Sequence, residues 1–212
     1  MRRIKFQPFN PGREIEIKQR NMPHWTQEGV AYFVTFRLAD SIPAALLNDW
    51  IRERDIWLQW NREPWSKEQR EEYAERFGDR MEQWLDAGMG ECVLRAAEVR
   101  AQLETHVLHF DGERYDIDCF VLMPNHVHLI VVPRPGERLF DILKGIKGTS
   151  ARTCNKLLGK TGTTLWMEDS YNRIVRDVDE LIAFRRYIER NPAQANLRDE
   201  DFTLVMNDVL YW

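Results

Sequence analysis

The sequence predicts an α+β fold, helices layered over an antiparallel sheet, and three observations predict it. Two apolar runs, Cys119–Leu122 and His126–Val132, are parted only by Met123-Pro124-Asn125, as in neighbouring antiparallel strands. Runs of this kind are interspersed with helical periodicities along the chain. A strongly charged stretch, residues 61–91, interrupts that order as a helical insertion would. With 212 residues the chain is long enough for one core, so residues 1–212 read as a single domain with 61–91 inserted in it.

Taken in order, residues 1–29 are polar and hold Pro8, Pro11, Gly12 and Pro23, which predicts an arm or loop. Ala31–Leu38 is aromatic and β-branched, a buried strand. Asp40 or Ser41 is the expected cap of a helix from Pro43 to about Trp60, ended by the break at Asn61–Ser66. Ser66 then caps an amphipathic helix over 67–86, whose Tyr73, Phe77, Met81 and Trp84 are spaced for packing. Trp57, Trp60 and Trp65 also read as packing before they read as base-stacking platforms. Glu91–Leu94 reads as a short extended piece, 96–109 as a helix, and Asp111-Gly112 as a turn. Tyr115–Leu122 and His126–Val132 are strands, the second closed by Pro133. A basic helix over 138–158 follows, then an irregular strand pair, Leu165–Met167 with Tyr171–Val175. Asp177 or Asp179 caps the last helix, Leu181–Arg190, which Asn191-Pro192 is expected to stop; the tail to Trp212 reads as ordered.

Composition excludes several classes. Hydrophobic content of 43% and charged content of 30% are those of a soluble globular protein. Cys92, Cys119 and Cys154 form no CxxC pair, which argues against a disulfide framework and for a reducing cytoplasm. No apolar run has the length of a membrane span or signal core, so no membrane partner is expected. The net charge of −4 hides an uneven distribution. Residues 134–160 hold seven Lys/Arg against Glu137 and Asp141, and residues 1–20 hold six against Glu14 and Glu16, whereas 53–91 hold eleven acids and six bases. Two basic surfaces and an acidic insertion follow, a pattern that serves a polyanion as well as it serves plain solvated faces.

The chemistry gathers at two places. Side chains alternate along a strand, so His126 and His128 share one face and Val127, Leu129 and Val131 the other. Two imidazoles on a rigid strand are half of a metal site, since catalytic centres need a third ligand. In Tyr187-Ile188-Glu189-Arg190-Asn191, Tyr187 and Asn191 stand one helical turn apart. They offer a phenol and an amide oxygen together. On the residues alone, Tyr187 packing beside Phe184 and Asn191 merely ending the helix is the favoured reading.

Met123-Pro124-Asn125-His126-Val127-His128-Leu129-Ile130, then Asn172-Arg173-Ile174-Val175-Arg176-Asp177, then Tyr187-Ile188-Glu189-Arg190-Asn191-Pro192-Ala193 together resemble the REP-associated tyrosine transposases. These are single-tyrosine HUH nucleases, U being a hydrophobic residue. The likeness spans roughly residues 28–60 and 92–197, and the insertion at 61–91 exceeds that of the smallest members. The resemblance implies a ferredoxin-like antiparallel core and cleavage of single-stranded DNA beside a hairpin. It implies that His126 and His128 hold a divalent Mg²⁺ or Mn²⁺, and that Tyr187 is the nucleophile. Asn191 stands where related enzymes place a glutamine ligand, and Tyr171 is the rival nucleophile. Lys144, Lys147, Arg152 and Arg173 are the candidate phosphate contacts, and either a monomer or a homodimer is compatible with the family. Two other readings stand beside this one: a domesticated hairpin-binding protein without catalysis, and a small-molecule metal hydrolase.

Overall fold

Every residue of Tyr32–Arg37 and of His126–Pro133 is buried, so the sheet they build needs cover on both faces. The computed structural model describes residues 2–4, 7–10, 12–13, 16–19, 23–62, 65–207 and 209–211. Strands β1 (Arg2–Ile4), β2 (Glu16–Gln19) and β3 (Pro23–Thr26) precede β4 (Tyr32–Arg37). Helices α1 (Ala44–Trp60) and α2 (Lys67–Tyr73), a π-helical turn (Ala74–Asp79), α3 (Arg80–Asp86) and α4 (Ala97–Leu108) lead to β5 (Tyr115–Leu122) and β6 (His126–Pro133). Then come α5 (Leu139–Leu157), β7 (Tyr171–Ile174), α6 (Val178–Gln194), β8 (Thr203–Met206) and β9 (Val209–Tyr211).

The main sheet runs β7-β4-β6-β5-β8, each neighbour antiparallel to the next. Without the edge strand β8 this is the ferredoxin-like order, with α4 in the first crossover and α5 in the second. On one face Val34, Phe36, Val127, Leu129 and Val131 pack against Leu103, Ile142 and Ile146 of α4 and α5. On the other, Phe33, Val121, Ile130 and Val132 pack against Leu181 and Ile188 of α6. His126 and His128 belong to the α6 face, as strand alternation requires.

The insertion and α1 share a small core apart from the sheet. Trp50, Trp57 and Phe77 are buried together, with Trp65, Tyr73, Met81 and Trp84 against them. The Trp50 indole N–H donates to the Phe77 carbonyl at 3.1 Å and that of Trp57 to Glu72 at 2.8 Å, so the buried rings keep their polar edges satisfied. Ser66 caps α2 in a reciprocal capping box with Gln69. Trp60 is the exception to the packing expectation, at 84% exposure.

Several expectations are corrected. In the segment expected to be an arm, β2 pairs with β3 and Ile4 is fully buried in the α6-side core. Part of that segment, including Pro11, lies outside the described residues, as do Glu63, Pro64 and Trp212 of the break and tail. Neither Asp40 nor Ser41 caps α1; Pro43 takes that position. The Ser41 hydroxyl instead donates to the Leu38 carbonyl, while Asp40 accepts from the Glu91 N–H. The 67–86 helix carries a π turn in its middle. Residues 93–95 form a 3-10 turn entered from Cys92 at φ +51°, not an extended piece. Of the expected strand pair only Tyr171–Ile174 is a strand, and it pairs with β4; Trp166 makes a single bridge to Leu38. Asp177 caps α6 as expected, but the helix passes through Pro192 to Gln194. Proline removes only its own N–H bond, so one turn of packing past Asn191 carries the helix on.

Gly90 fixes how the insertion returns to the core. Its φ is +87°, and a Cβ there would come within 2.6 Å of the Asp40 carbonyl oxygen, which is backbone and has no room to yield. Gly90→Ala is therefore expected to lower unfolding stability by at least the ~1–2 kcal/mol of a left-handed non-glycine residue, read from the urea midpoint.

Candidate active site

β6 and α6 bring the candidate residues together. The rings of His126 and His128 lie 4.6 Å apart, centroid to centroid, and neither is exposed. Each has its Nδ1 engaged by a neighbour. His128 Nδ1 lies 2.7 Å from Oγ1 of Thr35, its cross-strand partner on β4. His126 Nδ1 lies 2.7 Å from Asn125 Oδ1. The Asn125 amide donates its own N–H groups to the carbonyls of Leu85 and Met89, at 3.2 and 3.1 Å, so its oxygen is the acceptor and the proton sits on His126 Nδ1. Nε2 of His126 is then a bare lone pair with no hydrogen-bond partner. Burial holds His126 neutral, its pKa lowered to about 3, and drives that of His128 well below its ordinary value.

Tyr187 reaches over this pair from α6. Its hydroxyl lies 3.5 Å from His128 Nε2 and donates to Glu82 Oε2 at 2.6 Å. Phe33 forms the wall beside it, stacked on Phe184 at 4.4 Å and edge-on to the phenol at 5.8 Å. Asn191, fully buried one turn on, donates to the Tyr187 oxygen at 3.3 Å, and its side chain lies against His126. The Asn191 carbonyl oxygen has no partner. Burial, and then the facing Glu82 charge, push the Tyr187 phenol far above its ordinary pKa, so the hydroxyl is held protonated.

Glu82 is the functional candidate that sequence reasoning missed. It lies on α3 in the insertion, where nothing in the helical pattern separates it from its solvated neighbours. Desolvation raises its pKa to about 7, and its Oε2 is 3.4 Å from His128 Nε2. Donor atoms of Glu82, His126 and His128 lie within 4.8 Å of one another. Two neutral imidazoles, one with an unpartnered lone pair, an orphaned amide oxygen and a carboxylate are a donor set that fits a divalent cation. A cleft bounded by Asp86, Arg95, Pro124 and Asn125 ends against His126.

The other predicted residues are placed apart. Lys144 and Arg152 are exposed on α5, across the sheet from the histidines. The Lys147 ammonium donates to the carbonyls of Met167 and Glu168, at 2.7 and 2.6 Å. Arg173 is on the histidine side, its guanidinium over the Phe184 ring and paired with Glu180. Tyr171 shares that side, opposite Thr35 in the register, and its hydroxyl interacts with Arg173.

Residues 95–191 match the family described as "Transposase IS200 like". The matched stretch is a little under half of the chain. The matched region runs from the first turn before α4 to Asn191 and so contains both histidines and the tyrosine, in agreement with the family its motifs resemble. Among solved structures the chain is similar to a REP-associated tyrosine transposase bound to a REP hairpin. That likeness has 13% identity and a TM-score of 0.48, over 84% of this chain and 73% of that one. It is also similar to a candidate transposase from Deinococcus radiodurans R1, at 14% identity and a TM-score of 0.32, over 82% and 96% of the two chains. No curated protein matches the chain.

The titrating groups at this site oppose one another. Unfolded imidazoles take up protons near pH 6.5, whereas His126 stays neutral to about 3 and His128 is depressed likewise. The unfolded state therefore binds more protons in that window, and the histidine contribution to stability falls as acid is added. Glu82 acts in the opposite sense between its ordinary 4.5 and about 7, where only the folded state keeps its proton. Urea unfolding at several pH values between 4.5 and 6.5 is expected to show stability falling with acid. The fall should be shallower in His128→Gln and steeper in Glu82→Gln, each by up to ~1.4 kcal/mol per pH unit.

Proposed function

We propose that this protein is a metal-dependent endonuclease and strand transferase for single-stranded DNA, of the REP-associated tyrosine transposase type, cutting beside hairpins through a covalent 5′-phosphotyrosine. One observation carries the reading: a phenol hydroxyl 3.5 Å from a buried, neutral imidazole whose partner histidine keeps an unpaired lone pair. Inert core packing of Tyr187 would turn its oxygen away from the imidazoles; here the oxygen faces them.

In this reading His126, His128 and Asn191 hold the ion, and Tyr187 is the nucleophile. Imidazole and amide donors favour Mn²⁺ over Mg²⁺. When bound, the ion supplies Lewis-acid polarisation of the scissile phosphate. As the Tyr187 hydroxyl gives up the proton it donates to Glu82, its oxygen attacks phosphorus, the bond from phosphorus to the 3′ oxygen breaks, and the departing oxygen takes up one proton to become a free 3′-hydroxyl. The phosphodiester energy stays in the tyrosyl ester, so a second DNA 3′-hydroxyl reverses the step and joins strands without ATP. Phe33 and Phe184 hold the phenol ring in place, and Asn191 orients its oxygen. Arg173, on the histidine side, is assigned to the DNA backbone at the cut and the exposed Lys144 and Arg152 of α5 to phosphates beyond it, while Lys147 is engaged by the Met167 and Glu168 carbonyls; the number of phosphate contacts sets the salt dependence. A DNA partner fits a cytoplasmic protein, monomer or homodimer, and no helix among the described residues is long and apolar enough to cross a membrane.

A labelled oligonucleotide with a hairpin and a single-stranded flank tests this. With Mn²⁺, the wild type should give a denaturation-resistant protein–DNA adduct on a gel, and Tyr171→Phe should give it equally. Tyr187→Phe, or wild type with chelator, should give none. Hairpin binding with no adduct under Mn²⁺ would replace this reading with the non-catalytic one.

A further inference from the structure

We infer that the helical insertion completes the metal centre, with Glu82 of α3 as a carboxylate ligand beside His126 and His128. The inference rests on the function proposed above and assigns the insertion a role in it. Ligands ~2.1 Å from a common cation lie ~3.0–3.4 Å apart when adjacent, and Glu82 Oε2 is 3.4 Å from His128 Nε2. The His126 lone pair is buried and unpartnered within the same cluster. The Glu82 carboxylate is the other half of the argument. Among the described residues it pairs with no arginine or lysine, only with His128 and the Tyr187 hydroxyl. A desolvated carboxylate facing neutral groups lacks a counter-charge, and a divalent cation between it and the imidazoles provides one.

The insertion is anchored as a ligand-bearing element needs to be. Asn125, which fixes the protonated nitrogen of His126, also holds the carbonyls of Leu85 and Met89 just beyond Glu82. One amide therefore sets both the orientation of a histidine ligand and the position of the helix carrying the carboxylate, the service outer partners give in metal sites. At the return to the core, the Glu91 N–H bonds Asp40 at 2.8 Å. Ligation of Glu82 also draws its charge away from the Tyr187 hydroxyl and releases that hydroxyl toward substrate.

The test is Mn²⁺ affinity of the full chain by calorimetry, with the spin-resonance signal of free Mn²⁺ as a second readout, in the absence of DNA. Glu82→Gln should weaken binding at least ~10-fold, Glu82→Asp should fall between it and wild type, and His126→Ala/His128→Ala should abolish binding. Cooperative thermal melting checks that each variant folds; should Glu82→Gln fail to melt cooperatively, Glu82→Asp decides by the same criterion. Wild-type affinity in Glu82→Gln with loss in the histidine variant overturns the role of Glu82 and leaves the histidine site standing. Wild-type affinity in both overturns the site as well.

Discussion

Burying two imidazoles side by side without charging either is the constraint on which the rest of this structure depends. Removal from water disfavours protonation of both, and each would disfavour it in the other. Neutrality leaves one nitrogen of each ring needing a donor partner and the other needing an acceptor. Thr35 and Asn125 take one side of each ring, and they sit where they do because β4 is in register with β6 and because the β5–β6 turn is tight. What remains uncompensated points to one place. The sheet thus presents the bare His126 nitrogen without solvent competing for it, and α6 only has to arrive over that spot with a phenol and an amide.

Much of this was legible in the chain. Period-two alternation alone puts His126 and His128 on one face, and the Met123-Pro124-Asn125 break makes β5 and β6 neighbours. The four-residue spacing of Tyr187 and Asn191 puts both on one side of α6, yet it did not say which side, and on the residues alone packing was favoured. Facing could not be read because both layers flanking the sheet are apolar. The resemblance to tyrosine transposases supplied that choice. Glu82 was hidden for a different reason: its neighbours in sequence are a solvated charged surface, and its position depends on contacts 36 and 40 residues away in the chain, made by Asn125. Boundaries failed where backbone geometry overrode composition, as at Cys92 and at Pro192.

The insertion shows how an elaboration is tied to a core without sharing it. The aromatic cluster it shares with α1 is separate from both sheet-facing clusters. Polar tethers set its pose, among them Asp40 to the Glu91 amide, Asn125 to two carbonyls and Lys160 to the Glu91 carboxylate. Polar tethers are directional, so they fix the orientation of the element as well as its place.

β6 is paired on both of its edges, to β4 and to β5. A strand held this way moves along its neighbours only in whole-residue steps, and a single step exchanges its two faces. Such a step would send both imidazoles into the apolar layer under α4 and α5 and turn Val127 and Leu129 toward the phenol. The centre therefore has no half-built state available through sliding: it is inherited intact or lost altogether. Drift over time is left to the parts that approach it from outside, the terminal helix and the inserted arm, whose poses adjust by degrees.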